Sequence, residues 1–491
     1  MKLYKIGLLA LVLALTSCQD FLDLKPKNKI VMNTLEDVRS MVAAYLYSMG
    51  GNGTTPVTFN GQQIAWPFTK SINLGFTMYS NEMEMVRFPT TTYGKGFSKV
   101  YYENVDWKGI TLGQQIWVNF YTHIGYLNEA IVALEDLKGE NKIAWQKVMG
   151  EVKTIRAWYI LKLLEYFCTY NDNNWGIPLN LDPDQITGGK CRKQTEIYEQ
   201  IIGDLTEALS YEARPDEWNM FYRKEIINLI LAHTYWFKAT SAAADSKDWE
   251  NAAKYSANVL TIKDELETTS NQLKTEFAGN CTTPYIKDNP YAFLKLASKL
   301  TASSGNADAP FYANANSGQR PTDEFYSSFD AGDIRLGAFF GKTKISGEDV
   351  PYIYKYTRSW PFTGEFAVLF RVAEAYLICA EANAHLGNSV AKDLLETFKK
   401  SRIPGYINYD GNSILEEILK ERRKEFCYEM DFNWLDMKRR NQKSERDGLD
   451  AQTGGAVKFT LESKDYRYAL CIPLEEELSY NPDITNNPGW N

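Results

Sequence analysis

Residues 366–386 read FAVLFRVAEAYLICAEANAHL, and the fold class turns on their spacing. Leu369, Val372, Ala373, Tyr376, Ala380 and Asn383 recur at intervals of three and four, the period of one helix face. Ala375, Ala380 and Ala384 are mixed with the large ring of Tyr376. Small side chains let a neighbouring helix come close, and large ones fill the gaps that remain. The same mixture returns in Ala157-Trp158-Tyr159 and in Ala232…Trp236…Ala239.

Working outward, the same period predicts helices over 119–137, 145–168, 194–211, 223–242, 248–262, 366–386, 389–401 and 412–441. They group into four pairs: 119–168, 194–242, 248–262 with 366–386, and 389–441. This is the packing logic of tetratricopeptide-type repeats, which run near 34 residues, although the pitch here varies. The expected fold class is all-α dominated with minor β. Two regions stand outside the repeats, 50–118 and 263–365; both are rich in turn residues and aromatics. A short β-like run is expected at 352–356, and a short strand or extended segment over 467–473.

The chain opens MKLYKIGLLALVLALTSC. Two lysines precede an apolar stretch from Gly7 to Leu15, far shorter than the ~20 residues a spanning helix needs. The pattern is that of an export signal over 1–17. Leu15-Thr16-Ser17-Cys18 resembles the bacterial lipobox, which implies lipid attachment at Cys18 and cleavage before it. Two or three acyl chains give a stable membrane anchor where one is marginal. Residues 18–30 then read as a lipidated tether leading into the body, whose length alone would allow two or three domains. The other six cysteines are widely spaced, and Cys379 and Cys427 read as free buried thiols.

Composition removes several functions. A net charge of −8 argues against a broad nucleic-acid surface. Three histidines leave little for a His-based metal site or catalytic triad. No G-x-S-x-G, H-E-x-x-H, phosphate loop, dinucleotide fingerprint or calcium loop occurs, so neither metal nor cofactor is expected.

Four stretches, in order along the chain, resemble the SusD/RagB family of nutrient-binding outer-membrane lipoproteins of Bacteroidetes. They are Cys18-Gln-Asp-Phe-Leu-Asp23; Arg371 to Ala382 with Leu386-Gly387; Ile418 to Phe426 with Trp434 to Arg439; and Ile472-Pro473 followed by Asn481-Pro482 and Asn487-Pro488-Gly489. The resemblance implies a single α-rich domain over 31–491, with a right-handed superhelical scaffold of four tetratricopeptide-like units and a loop-rich glycan-binding face. It also implies a location on the cell exterior and a SusC-like TonB-dependent transporter as partner. Charged motif residues such as Glu421, Arg422, Arg423 and Glu425 read as scaffold ion pairs, Asp333 and Arg335 as a loop-fixing pair, and Trp434 as core.

Sugars present apolar C–H faces ringed by hydroxyls, so a site for them needs exposed aromatic platforms beside amide and charged groups. The irregular regions supply Trp66, Tyr79, Asn81, Arg87 and Tyr93 in the first, and Tyr312, Asn314, Arg320 and Trp360 in the second. Trp107, Glu82, Tyr352 and Tyr354 are further members of the set, and the two regions are expected to meet over one face. The expected activity is binding and delivery, not catalysis. Two alternatives stay open: a peptide or glycopeptide receptor and, more remotely, a glycoside hydrolase, because paired carboxylates need only lie ~5–10 Å apart in space.

Overall fold

The computed structural model describes residues 32–49, 57–59, 61–64, 75–77, 79–84, 105–108, 112–183, 189–277, 289–298, 320–345, 347–355, 365–449, 455–473, 481 and 483–490. Its helices are α1 (Leu35–Met49), α2 (Leu112–Asp136), α3 (Lys142–Phe167), α4 (Gln194–Ser210), α5 (Lys224–Lys238) and α6 (Asp248–Ile262). Three short ones follow: α7 (Ser270–Glu276), α8 (Asp323–Ser327) and α9 (Ile334–Phe339). Then come α10 (Val372–His385), α11 (Val390–Arg402), α12 (Ile414–Glu425) and α13 (Phe432–Arg439).

The long helices pack in chain order. Helix α2 lies on α3, α3 on α4, α4 on α5 and α5 on α6; α6 then meets α10 across the insertion, and α10 meets α11 and α12. This is the helix-on-helix stacking expected of a tetratricopeptide-like scaffold. Helix α3 is buried nearly all round, as a central helix should be. Asn141 caps its start by accepting from the Ala144 amide at 3.2 Å. Gly150 on α3 is required by its neighbour: a Cβ there would fall 2.3 Å from the Tyr222 ring. The buried Glu151 carboxylate accepts the amides of Met220, Phe221 and Tyr222, fixing the approach to α5.

The strands are short and antiparallel. They are β1 (Thr58–Phe59), β2 (Gln62–Gln63), β3 (Met83–Glu84), β4 (Ala292–Ser298), β5 (Arg320–Pro321), β6 (Phe340–Ile345), β7 (Glu348–Ile353), β8 (Glu365–Arg371), β9 (Ser444–Leu449) and β10 (Ala456–Leu461). They form five two-stranded pairs among the described residues: β1–β2, β3–β5, β4–β8, β6–β7 and β9–β10.

Two expected elements differ, and a third takes one of its two expected forms. The helix predicted over 366–386 starts only at Val372, because 365–371 pairs with β4 and Phe370 turns left-handed at φ 57°. The run 412–441 is two helices, broken where Tyr428 (φ 63°) and Met430 (φ 42°) turn left-handed. Of the two forms expected over 467–473, a short strand or an extended segment, the chain takes the second after a 3₁₀ turn at Tyr466–Tyr468, and the Leu470 amide donates to the Tyr166 carbonyl at 2.8 Å.

Candidate ligand-binding face

Helix α12 and the turn after it form the base. Ser413 caps the helix by accepting from the Glu416 amide, and Leu419 and Ile418 turn inward. On the same turns the sequence places Glu421, Arg422, Arg423 and Glu425, and all but Arg423 are fully buried. Charges can persist in such a place only when paired.

Glu425 is the hub. Its carboxylate accepts from Arg371 Nη2 at 2.6 Å and from Arg402 Nε and Nη2 at 2.9 Å each; Arg335 Nη1 stands at 3.6 Å. Burial alone would raise its pKa, but the Arg402 and Arg371 guanidiniums hold it well below the usual carboxylate range. Arg335 also spans Asp333 at 2.7 Å and Glu421 at 2.6 Å. Burial opposes the Glu421 charge too, yet Arg335 and its neighbours bring that carboxyl down to about 2. The ion pairs read from the sequence are therefore present, although most cross between elements instead of running along one helix.

Three stretches of the irregular regions are anchored on this base. The first is 80–84. Glu82 Oε1 accepts from Arg423 Nε at 2.9 Å, and the Glu82 carbonyl accepts from the Tyr428 hydroxyl at 2.9 Å. The second is 320–324. Strand β5 pairs with β3, Thr322 donates its amide to the Glu82 carbonyl, and Glu324 accepts from Arg423 at 3.1 Å. The third is 353–355. Lys355 is fully buried; its ammonium donates to the carbonyls of Glu425 at 2.7 Å and Cys427 at 2.9 Å, and pairs with Glu429 at 2.5 Å. The two irregular regions thus meet, with the β6–β7 hairpin touching β5 on one side and β9 touching β3 on the other.

Several expected site residues need correction. Tyr79 is only 3% exposed. Its ring packs edge-on to Trp107 at 5.0 Å, with Arg446 over it at 5.4 Å, so it is core and cannot serve as a platform. Trp107 is buried as well, its indole N–H donating to the Arg467 carbonyl at 2.7 Å. Arg320 is 3% exposed and pairs with Asp323 at 3.5 Å, which makes it a structural residue of β5. Asn81 is half-buried and its side-chain oxygen accepts from Ser444. Cys18, Trp66, Arg87, Tyr93, Tyr312, Asn314 and Trp360 lie outside the described residues.

Tyr352 and Tyr354 do stay half-buried on this face, their rings 6.1 Å apart and edge-to-face. Gly341 across the hairpin makes room for the first of them; a Cβ there would sit 2.3 Å from the Tyr352 ring. Tyr326, half-buried on α8 against Phe340, belongs to the same neighbourhood and went unread in the sequence. Its signal was the Thr322 cap ahead of Asp323-Glu324, a helix start next to an aromatic.

The sequence profile of the SusD family matches residues 352–490. A second profile, described as starch-binding and associating with the outer membrane, matches residues 20–225. Together they cover about seven tenths of the chain. The chain belongs to the SusD/RagB family. Solved SusD-type structures share its fold. A SusD superfamily protein from Bacteroides vulgatus has a TM-score of 0.71 at 18% identity, over 94% of this chain and 100% of its own. A SusD-like carbohydrate binding protein from the same organism gives 0.66 at 19%, over 92% and 98%. A SusD superfamily protein from Parabacteroides distasonis gives 0.64 at 20%, over 94% and 100%. No curated protein matches the chain. In this SusD-family member no described helix is long and apolar enough to cross a membrane.

Proposed function

We propose that this protein is a cell-surface lipoprotein, anchored through Cys18, that captures oligosaccharides and passes them to a SusC-like TonB-dependent transporter. The observation that carries it is the convergence of three loop anchors on one helix end in a chain of a family described as starch-binding. The segments that carry Arg87 and Tyr93, Tyr312 and Asn314, and Trp360 adjoin those anchors in sequence, at Glu84, Arg320 and Lys355. Tyr352 and Tyr354 supply ring surface beside them. The face works by binding alone.

A glycan array on the soluble form lacking residues 1–18 tests the ligand class. Glycan hits that are lost in Trp360→Ala, with the melting temperature kept, support the proposal. Hits with peptides alone would replace it with a peptide receptor, and glycan turnover lost on changing one Asp or Glu would replace it with a hydrolase. Acyl mass on the mature amino terminus, and co-purification with a TonB-dependent transporter, test the anchor and the partner.

A further inference from the structure

Away from the loop anchors, a cavity of about 40 Å³ opens inside the helical scaffold between α3, α5, β8 and the 430–432 turn. A single water needs ~10–15 Å³ on this scale, so there is room for a group of three or four heavy atoms. Its walls are apolar: Trp158 and Leu161 from α3, Leu229 and Ile230 from α5, and Phe370 and Phe432 at the rim. Those two rim residues are the members of the lining that keep some exposure.

The floor is ionic. His233 Nδ1 meets Glu374 Oε1 at 2.7 Å, and His233 Nε2 meets Glu165 Oε1 at 2.7 Å. Lys162 bridges Glu165 at 2.7 Å and Asp431 at 3.0 Å. Behind them, the Lys438 ammonium donates to the Glu165 and Cys168 carbonyls at 2.6 and 2.7 Å. Burial works against the His233 charge, but Glu165 and Glu374 raise its pKa to about 9, so it is protonated at neutral pH. Burial lowers the Lys438 pKa to about 8, still on the charged side. Of the groups that line the cavity, Lys162 and His233 are cationic and Glu374 and Asp431 are acidic, so the floor as a set is neutral, with Glu165 and Lys438 lying behind it.

A cavity with greasy walls and a neutral polar floor suits an uncharged occupant with an apolar body and a hydrogen-bonding head. Two lining residues, Phe370 at φ 57° and Met430 at φ 42°, hold left-handed backbone that bulky residues rarely adopt. Such strain gathers at ligand clamps. We propose that this cavity binds a small uncharged amide-like group, of the size and chemistry of an acetamido group, whether free or carried on a sugar.

The inference is independent of the loop face, and its probe is acetamide, so failure of either reading leaves the other standing. The full chain in detergent is titrated with acetamide by saturation-transfer NMR, and its crystals are soaked in the same compound. Expected are a saturable methyl signal and acetamide density beside Ile230 and Glu374. Ile230→Phe, which fills the cavity, should weaken binding at least about tenfold. If that variant does not fold, the soaked wild-type crystal decides alone. Competition by N-acetylglucosamine and not by glucose assigns the group to a sugar; no competition assigns it to a free small molecule. Water alone in the cavity at saturating acetamide, or Ile230→Phe binding as tightly as wild type, overturns the proposal.

Discussion

Glu425→Gln tests whether the buried charges hold the structure together. The substitution keeps the shape and removes the charge that three guanidiniums share. Arg371 and Arg402, each no more than 2% exposed, would lose contacts of 2.6 and 2.9 Å. Breaking a buried ion pair by removing one partner costs about 3–5 kcal/mol, because the remaining charge is stranded. Unfolding entropy is about 2.1 cal/mol/K per residue, or ~1 kcal/mol/K for a body of roughly 460 residues. A loss of ~4 kcal/mol should therefore lower the melting temperature by about 4 °C. The control is Lys344→Ala on the β6–β7 hairpin. Lys344 and Asp349 pair at 2.9 Å, but with side chains 70% and 58% exposed. That pair is worth ~0–1 kcal/mol, so the control should move by about 1 °C at most. Differential scanning calorimetry of the two variants beside wild type gives the comparison. A Glu425→Gln shift no larger than the control's would mean that the network contributes nothing the surrounding packing does not already supply.

Further outcomes are expected. Gly341→Ala should push the Tyr352 ring aside and weaken glycan binding several-fold while shifting the melting temperature little; isothermal titration would show it, and unchanged affinity would remove Tyr352 from the site. The His233 pKa is raised from 6.5 to about 9 by Glu165 and Glu374 against the cost of burial, so its contribution to stability is full below pH ~6.5 and fades as pH rises through 9. Denaturant melts from pH 6 to 10 should show a loss on the order of 3 kcal/mol that His233→Gln abolishes. Cys379 and Cys427 are buried, and burial pushes the Cys427 thiol up to about 12, so both should resist maleimide in the native protein while half-buried Cys191 reacts first. Mass spectrometry of partly labelled peptides reads that order directly.

How much of this was legible in the sequence depended on where each signal was stored. Long helices were readable because periodicity is local; α6 begins and ends where its spacing says. The break between α12 and α13 was not, because no Gly or Pro stands between Glu425 and Phe432. Tyr428 turns left-handed where its hydroxyl donates to the distant Glu82 carbonyl, a contact that local spacing does not announce. The same limit misplaced Tyr79. In a Gly- and Thr-rich stretch it looked like a surface ring, but Trp107 and Arg446 cover it, the second from more than 360 positions away. Arg320 looked like a hydroxyl donor, yet its strand carries it inward. Loop membership is a statement about backbone, and exposure is decided by what packs on it.

The choice of charges over hydrocarbon at the root of the loops has its own logic. Well-packed apolar side chains of similar volume can match or exceed a buried ionic cluster in stability, so stability does not explain Arg335, Arg371, Arg402 and Glu425. Directionality does. A leucine tolerates sliding by an ångström; a guanidinium meeting a carboxylate at 2.6–2.9 Å through paired N–H groups does not. Lys355 is bound at its tip by two carbonyls and one carboxylate, which fixes the start of the Trp360 segment in three directions. Arg423 fixes 80–84 and 320–324 to each other through Glu82 and Glu324. Anchors so specified would leave the loop segments free to differ in sequence without shifting their roots. On this argument, changes within the loop segments should alter which ligand is held, whereas changes at Glu425 or Arg423 should weaken every ligand alike.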